Sequence, residues 1–164
     1  MKMLTVAQAT DSQGIARAQR LFLEYNATIG VDLEFQGFDH ELATLPGRYA
    51  PPAGRLLLAL RGEEPIGCVA LRALEPGVGE LKRLYVRPAF RGRGVGRLLV
   101  ERTIVEARAA GYRTMRLDTL PAMERARALY EALGFRQIPA YAGFSPVPGT
   151  TFYELDLRVL TEQR

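Results

Sequence analysis

Between Val86 and Leu99 the chain reads V-R-P-A-F-R-G-R-G-V-G-R-L-L, the end of an apolar run joined to the start of an amphipathic one. Gly92, Gly94 and Gly96 alternate there with Arg93 and Val95, and Arg91 and Arg97 flank them. Glycines free of a Cβ can turn backbone N–H groups toward an anion. A helix beginning at Val95 adds the positive end of its dipole, and the arginines add full charges. The chemistry such a segment offers is a grip on a pyrophosphate.

The charge distribution points the same way. The 164 residues carry a net +4, yet Lys82 to Arg116 holds ten basic residues against Glu101 and Glu106. That segment alone is +8, and the remainder of the chain is −4. Concentrated positive charge suits a polyanionic ligand. Nucleic acid would suit it too, but the basic segment lacks aromatic interleaving and contains no nucleic-acid motif. Lysine occurs only at positions 2 and 82, so an arginine-rich composition contributes to the bias. Arg102, Arg108, Arg113 and Arg116 read equally well as the solvated faces of a helix and a strand.

Apolar residues make up 48% and charged residues 24%, ordinary for one globular domain spanning 1–164. Leu56 to Leu60, the longest aliphatic run, is too short to span a bilayer. No signal-peptide pattern opens the chain, so a cytoplasmic location is expected. With one cysteine, Cys68, and one histidine, His40, neither a disulfide framework nor a metal site is expected. Cys68 sits in a strand-like run and reads as a small buried side chain, and His40 as solvent-facing.

The elements that must position the loop follow from periodicity. Leu4 to Ala9 reads as a strand, and Asp11 or Ser12 as the cap of a helix with apolar positions Ile15, Ala18, Phe22, Tyr25 and Ile29. A short helix follows around Phe35, Phe38, Leu42 and Leu45, stopped by Pro46-Gly47. Strands at Arg55–Arg61, Pro65–Leu74 and Val78–Val86 are separated by turn residues, and Pro76-Gly77 suits a type II turn. After the glycine loop, Val95, Leu98, Leu99, Val105 and Ala109 mark a helix ended by Gly111. Thr114–Thr119 is a strand, and Ala126, Leu129, Tyr130 and Leu133 stripe a helix stopped at Gly134. Phe135–Ile138 and Thr151–Leu157 form a closing pair of strands. The order β-α-α-β-β-β-α-β-α-β-β implies an α/β (α+β) fold with a mixed sheet.

Two familiar pyrophosphate binders do not fit. A dinucleotide fold needs G-x-G-x-x-G near the start of a βαβ unit, whereas here the glycines follow an antiparallel meander and position 97 is Arg. No P-loop string is present. The segment instead resembles the acetyl-CoA signature of the GNAT N-acetyltransferase superfamily, [R/Q]-x-x-G-x-[G/A], matched by Arg91, Gly94 and Gly96. Val86 and Pro88 supply its preceding V-x-P. A second superfamily motif is matched downstream from Ala126 to Phe135 as A-R-A-L-Y-E-A-L-G-F. The resemblance implies a mostly antiparallel sheet of about seven strands with helices on both faces. It also implies acetyl-CoA as cosubstrate, with no metal.

By this resemblance, Arg91, Gly92, Arg93, Gly94, Val95, Gly96 and Arg97 hold the pyrophosphate. The backbone of Leu84, Tyr85 and Val86, on a bulged strand, pairs with the pantetheine amides, while the side chains of Leu84 and Val86 face the core. Glu80 resembles the general base of some members, although strand alternation puts it beside Lys82 and a surface ion pair reads equally well. Asp118 is the reserve. Tyr130 matches the tyrosine that protonates the departing thiolate, against the plain reading of a packed helix residue. Relatives often carry Asn seven positions earlier, where this chain has Met123. That polar contact is then missing, or Thr119 supplies it.

The expected partner is an amine acceptor, small molecule or peptide, with a homodimer also possible and no nucleic acid or membrane involved. Acceptor recognition is expected from Phe35, Phe38 and Tyr49 and from the loop around Tyr141 and Phe144. Arg72, Lys82 or Arg83 would suit an acceptor carboxylate. The rival from another class is a non-catalytic acyl-CoA-binding module.

Overall fold

A computed structural model of the chain describes residues 2–30, 37–141 and 147–158. Within them the order is β1 (Leu4–Gln8), α1 (Ser12–Thr28), α2 (Phe38–Ala43), β2 (Arg55–Arg61), β3 (Glu64–Glu75) and β4 (Val78–Val86). It continues with α3 (Val95–Ala109), β5 (Thr114–Thr119), α4 (Glu124–Ala132), β6 (Arg136–Ile138) and β7 (Thr151–Asp156). The expected order is therefore met, and the local reasons are visible. Asp11 caps α1, its Oδ1 accepting from the Gly14 N–H at 2.8 Å. Gly77 adopts φ 79°, the left-handed value that a type II turn between β3 and β4 requires. Phe35 and Phe144 lie outside the described residues.

The strands form one sheet in the order β1-β2-β3-β4-β5-β7-β6. Its pairs are antiparallel except β4 with β5, the two strands joined through α3. Such a parallel pair needs a crossover connection, and a helix supplies it. The closing pair is antiparallel as expected, with β7 inserted between β5 and β6. One face of the sheet packs Leu57, Val69, Leu81, Met115 and Leu117 against Val95 and Leu99 of α3 and Tyr130 of α4. The other packs Leu56, Leu58 and Ala70 against Ala18, Leu21 and Phe22 of α1 and Phe38 of α2.

The middle of β4 departs from regular pairing. Ala70 opposes Lys82 and Cys68 opposes Tyr85, so β4 carries one extra residue over that stretch. This bulge includes Arg83, whose φ of 61° is unusual for a residue with a Cβ. A backbone held there costs about 1–3 kcal/mol and persists only when its surroundings over-determine it. Those surroundings are a buried fork. Arg83 Nε donates to Glu41 Oε2 at 2.8 Å and its second nitrogen to Oε1 at 3.0 Å, with the guanidinium over the Phe38 ring.

The extra residue also inverts the alternation. Leu81 faces the α3 side before the bulge, and Leu84 and Val86 pack on that side after it, while Tyr85 joins the α1 side. Bulges bend and twist the strand that carries them. Correspondingly, β4 and β5 pair only from Val78 to Glu80 with Thr114 to Arg116. From Leu81 onward the two strands separate, and β4 keeps only β3 as a ladder partner.

Removing the anchor should show how much depends on it. Glu41→Gln leaves the buried Arg83 charge without its counter-charge and is expected to lower stability by about 3 kcal/mol. Urea denaturation of the two proteins measures it, and an unchanged midpoint would mean that Glu41 does not hold the bulge.

Candidate active site

A cleft of about 640 Å³ opens where β4 leaves β5. Leu84, Tyr85 and Val86 line it, as do Arg91, Gly92, Gly94, Val95, Gly96 and Arg97, so the structure brings these expected ligand-binding residues to one place. Arg93 is the exception. It does not line the cleft, and its guanidinium stands over the Phe90 ring. Arg91 is fixed toward the cleft by a bond from its Nε to the Val86 carbonyl at 2.8 Å. Arg97 pairs with Glu101 one turn along α3, an exposed contact worth little in stability.

The loop's geometry suits an anion. Gly92 and Gly94 have φ of 76° and 83°, and a Cβ at either position would meet nothing within 4 Å. Their glycines answer to backbone conformation, and the space beside them is open. Gly94 caps α3 without a side-chain hydrogen bond, and the first helical bond runs from Leu98 N–H to the Gly94 carbonyl. The N–H groups of Val95, Gly96 and Arg97 thus precede the helical ladder at the positive end of a helix of 15 residues.

Deeper in the splay lies a second, smaller space of about 40 Å³, lined by Tyr25, Lys82, Leu84, Asp118, Thr119 and Tyr130 among others. It meets the larger cleft along Tyr25, Leu84, Met123 and Ala126. Tyr130 is only 4% exposed. Burial, then the neighbouring Tyr25 and Asp118, push its phenol above the ordinary range, so it remains protonated and able to donate. Burial likewise pushes Tyr25 up to about 12. Thr119 Oγ1 is buried without a hydrogen-bond partner among the described residues. A buried hydroxyl left unsatisfied in a cleft fits a ligand carrying amides, and Met123, which lines both spaces, offers none of the polar capacity of Asn.

Glu80 stands elsewhere. It lines neither space, and its surface-pair reading fails as well, since Glu80 is 3% and Lys82 7% exposed. Its Oε1 accepts from Arg72 Nε at 3.0 Å, and its Oε2 accepts from the Tyr141 hydroxyl at 2.7 Å. Burial alone would raise its pKa, but Lys82, Arg72 and the Tyr141 hydrogen bond outweigh it and hold the carboxyl below its usual range. A carboxylate so stabilised is a weak base. The acceptor-binding expectations are also corrected in part. Phe38 and Tyr49 are core residues, and Arg72 and Arg83 are committed to Glu80 and Glu41. Lys82 lines the smaller space, and Tyr141 is engaged by Glu80. His40 is exposed, and no group of three or more metal-binding side chains occurs among the described residues.

Several basic residues outside the loop serve as internal links. Arg116 pairs with Glu154 at 2.9 Å, Arg108 donates to the Leu157 carbonyl, and Arg55 and Arg102 share Glu106. No helix among the described residues is long and apolar enough to cross a membrane.

Residues 19–135 match the acetyltransferase (GNAT) family, well over half of the chain, and the protein belongs to that family. It is an acetyl-CoA-dependent N-acetyltransferase. It is 41% identical over 140 residues to an uncharacterized N-acetyltransferase of Schizosaccharomyces pombe, covering 84% of this chain and 85% of that one. Among solved structures, a GNAT-family acetyltransferase of Staphylococcus aureus superposes with a TM-score of 0.79, over 95% of this chain and all of the other at 19% identity. An acetyltransferase from Salmonella typhimurium determined with its cofactor acetyl-CoA gives 0.69 over 96% of each chain at 21% identity. At these identities the two structures bear on the fold alone.

Two outcomes test the site. Gly94→Ala forces a Cβ onto a left-handed backbone, a cost of about 1–2 kcal/mol, and puts a methyl into the open space beside the loop. Calorimetric titration should show CoA affinity falling by roughly tenfold or more, and an unchanged affinity would place the anion elsewhere. For Glu80, the folded pKa is depressed, so its contribution is complete well above the unfolded value of 4.5 and fades as pH falls through the folded one. The stability margin of wild type over Glu80→Gln should be full at pH 7 and shrink below about pH 4.5 in urea titrations. A margin independent of pH would contradict the ion-paired state.

Proposed function

We propose that the protein transfers the acetyl group of acetyl-CoA directly to a primary amine of a small molecule or peptide, with both substrates bound together. The observation that carries this reading is the unpaired edge of β4, which runs from the splay straight into the glycine loop. A diphosphate on the N–H groups of residues 92–97 and a pantetheine arm along Leu84–Val86 would lie in one continuous groove. The thioester end then reaches the smaller space between Lys82, Asp118 and Tyr130.

Direct transfer is supported by the fate of the one thiol. Cys68 is fully buried, lines neither space, and donates from Sγ to the Arg83 carbonyl. Burial raises its pKa far above the ordinary thiol range, which leaves it protonated and unsuited to forming an acyl-enzyme. In the proposed reaction the amine nitrogen bonds to the acetyl carbon while the C–S bond breaks. Backbone N–H groups on the open β4 edge stabilise the carbonyl oxygen as it gains charge. Tyr130 gives its proton to the departing thiolate, and the one proton that the neutral amine loses as the amide forms restores Tyr130. Glu80, fixed by Arg72 and Tyr141, acts as a positioning residue at the sheet face.

Thiol release from acetyl-CoA, measured against amino acids, polyamines, aminoglycosides and N-terminal peptides, tests this function. The expected result is turnover with one acceptor class, and for Tyr130→Phe a kcat about a hundredfold lower with CoA affinity unchanged. Tight CoA binding without release from any amine would favour a binding module. Full activity of Tyr130→Phe would remove Tyr130 as the acid.

A further inference from the structure

We propose that Asp118 is the catalytic residue that receives the acceptor's ammonium and takes its proton. This rests on the acetyl-transfer reading above and adds the group which that reading lacks.

The inference starts from a comparison of carboxylates on one face of the sheet. Glu41 is held by both nitrogens of Arg83, Glu80 by Arg72 and Tyr141, and Glu154 by Arg116. Asp118 differs on two counts. Its ion-pair contact with Lys82 Nζ is 3.9 Å, beyond hydrogen-bond reach. Its side chain is 24% accessible against 4% for that of Glu80. It is also the carboxylate that lines the small space in the splay, together with Tyr130 and the β4 edge residue Leu84. Alternation along β5 sets the face from which it reaches that space, with Thr119 and Tyr130 lining it from the other. Met115 and Leu117 enter the core under α3, which turns Arg116 and Asp118 to the opposite face.

A second observation marks the same space as a ligand site. Thr119 Oγ1, next in sequence and lining it too, is buried without a hydrogen-bond partner among the described residues. A volume of about 40 Å³ admits a reacting head group and not a whole acceptor. An ammonium beside a carboxylate, a hydroxyl and a thioester matches that size and polarity.

The charged and titratable groups around Asp118 are Lys82 and Arg83 from β4, Tyr25 from α1, Tyr130 from α4 and Tyr141 from the segment after β6, the Arg83 charge being matched by Glu41. In the reaction Asp118 takes one proton from R–NH3+, leaving a neutral amine and a neutral carboxyl. The amine attacks, the C–S bond breaks, and the thiolate takes the proton of Tyr130. The second proton lost from nitrogen restores Tyr130, and Asp118 returns its own to solvent through its exposed side.

The test uses the full chain with acetyl-CoA and whichever amine of the panel gives the fastest release. Asp118→Asn should retain CoA affinity by calorimetry and lose about a hundredfold or more in kcat. Raising the pH toward the amine's own pKa should recover much of that loss, because solvent then removes the proton. Asp118→Glu should keep part of the activity. Activity of Asp118→Asn within about twofold of wild type, against the range expected for a lost base, would overturn the proposal. So would a loss that pH does not recover, or a pH-recovered loss in Glu80→Gln instead. A wild type that binds CoA and turns over no amine would overturn the acetyl-transfer reading, and this inference with it.

Discussion

Arg83 holds a left-handed backbone inside a strand because Glu41 grips its guanidinium with two hydrogen bonds and Phe38 lies beneath it. The conformation costs about 1–3 kcal/mol, and breaking a buried pair of this type costs about 3–5 kcal/mol, so the pair can enforce the bend. Everything that distinguishes the site follows from that bend. The extra residue switches which side chains face α1 and which face α3, and it turns β4 away from β5. The result is a strand with one row of peptide groups outside any β-ladder beside a helix N-terminus. An open edge is usually a hazard to a sheet. Here it is short, recessed between α1 and α4, and continuous with the glycine loop.

Electrostatics divides the molecule into two regimes. Around the loop, Arg91, Arg97 and Arg125 border the cleft, and the backbone dipoles at the start of α3 add to their positive potential. On the α1 face of the sheet, buried and half-buried charges occur in matched pairs, Arg72 with Glu80, Arg83 with Glu41 and Arg116 with Glu154. The positive charges of Lys82 and Arg72 hold the Glu80 carboxyl below its usual range despite its burial. The loosest of these contacts, Lys82 with Asp118, falls where the chemistry is expected.

Much of the fold was legible because its punctuation is local. Asp11, Pro76-Gly77, Gly111 and Gly134 mark ends and turns by their own conformational preferences, and the strand runs between them are strongly apolar. The loop residues from Arg91 to Arg97 could be read for the same reason, since glycine spacing expresses a backbone requirement. The surroundings of Glu80 were not legible, because strand alternation gives a face and nothing more. It cannot show that Arg72, directly opposite on β3, and Tyr141, sixty-one residues onward, would occupy both carboxylate oxygens. The pairing of Arg83 with Glu41 was invisible for a similar reason, being a contact across forty-two residues. A basic residue centred in an apolar strand was the signal that could have prompted the search. Arg116 and Arg108, counted as part of a ligand-directed patch or a solvated face, are structural links to β7 and the chain beyond it.

The central claim is that backbone amides of the loop and of the β4 edge form one continuous ligand surface. Titrating isotope-labelled protein with CoA while following amide resonances tests it most directly. The account predicts that Gly92, Gly94, Gly96 and the Leu84–Val86 stretch shift together and saturate with a single affinity. Shifts confined to another surface, with those resonances unmoved at saturation, would contradict it.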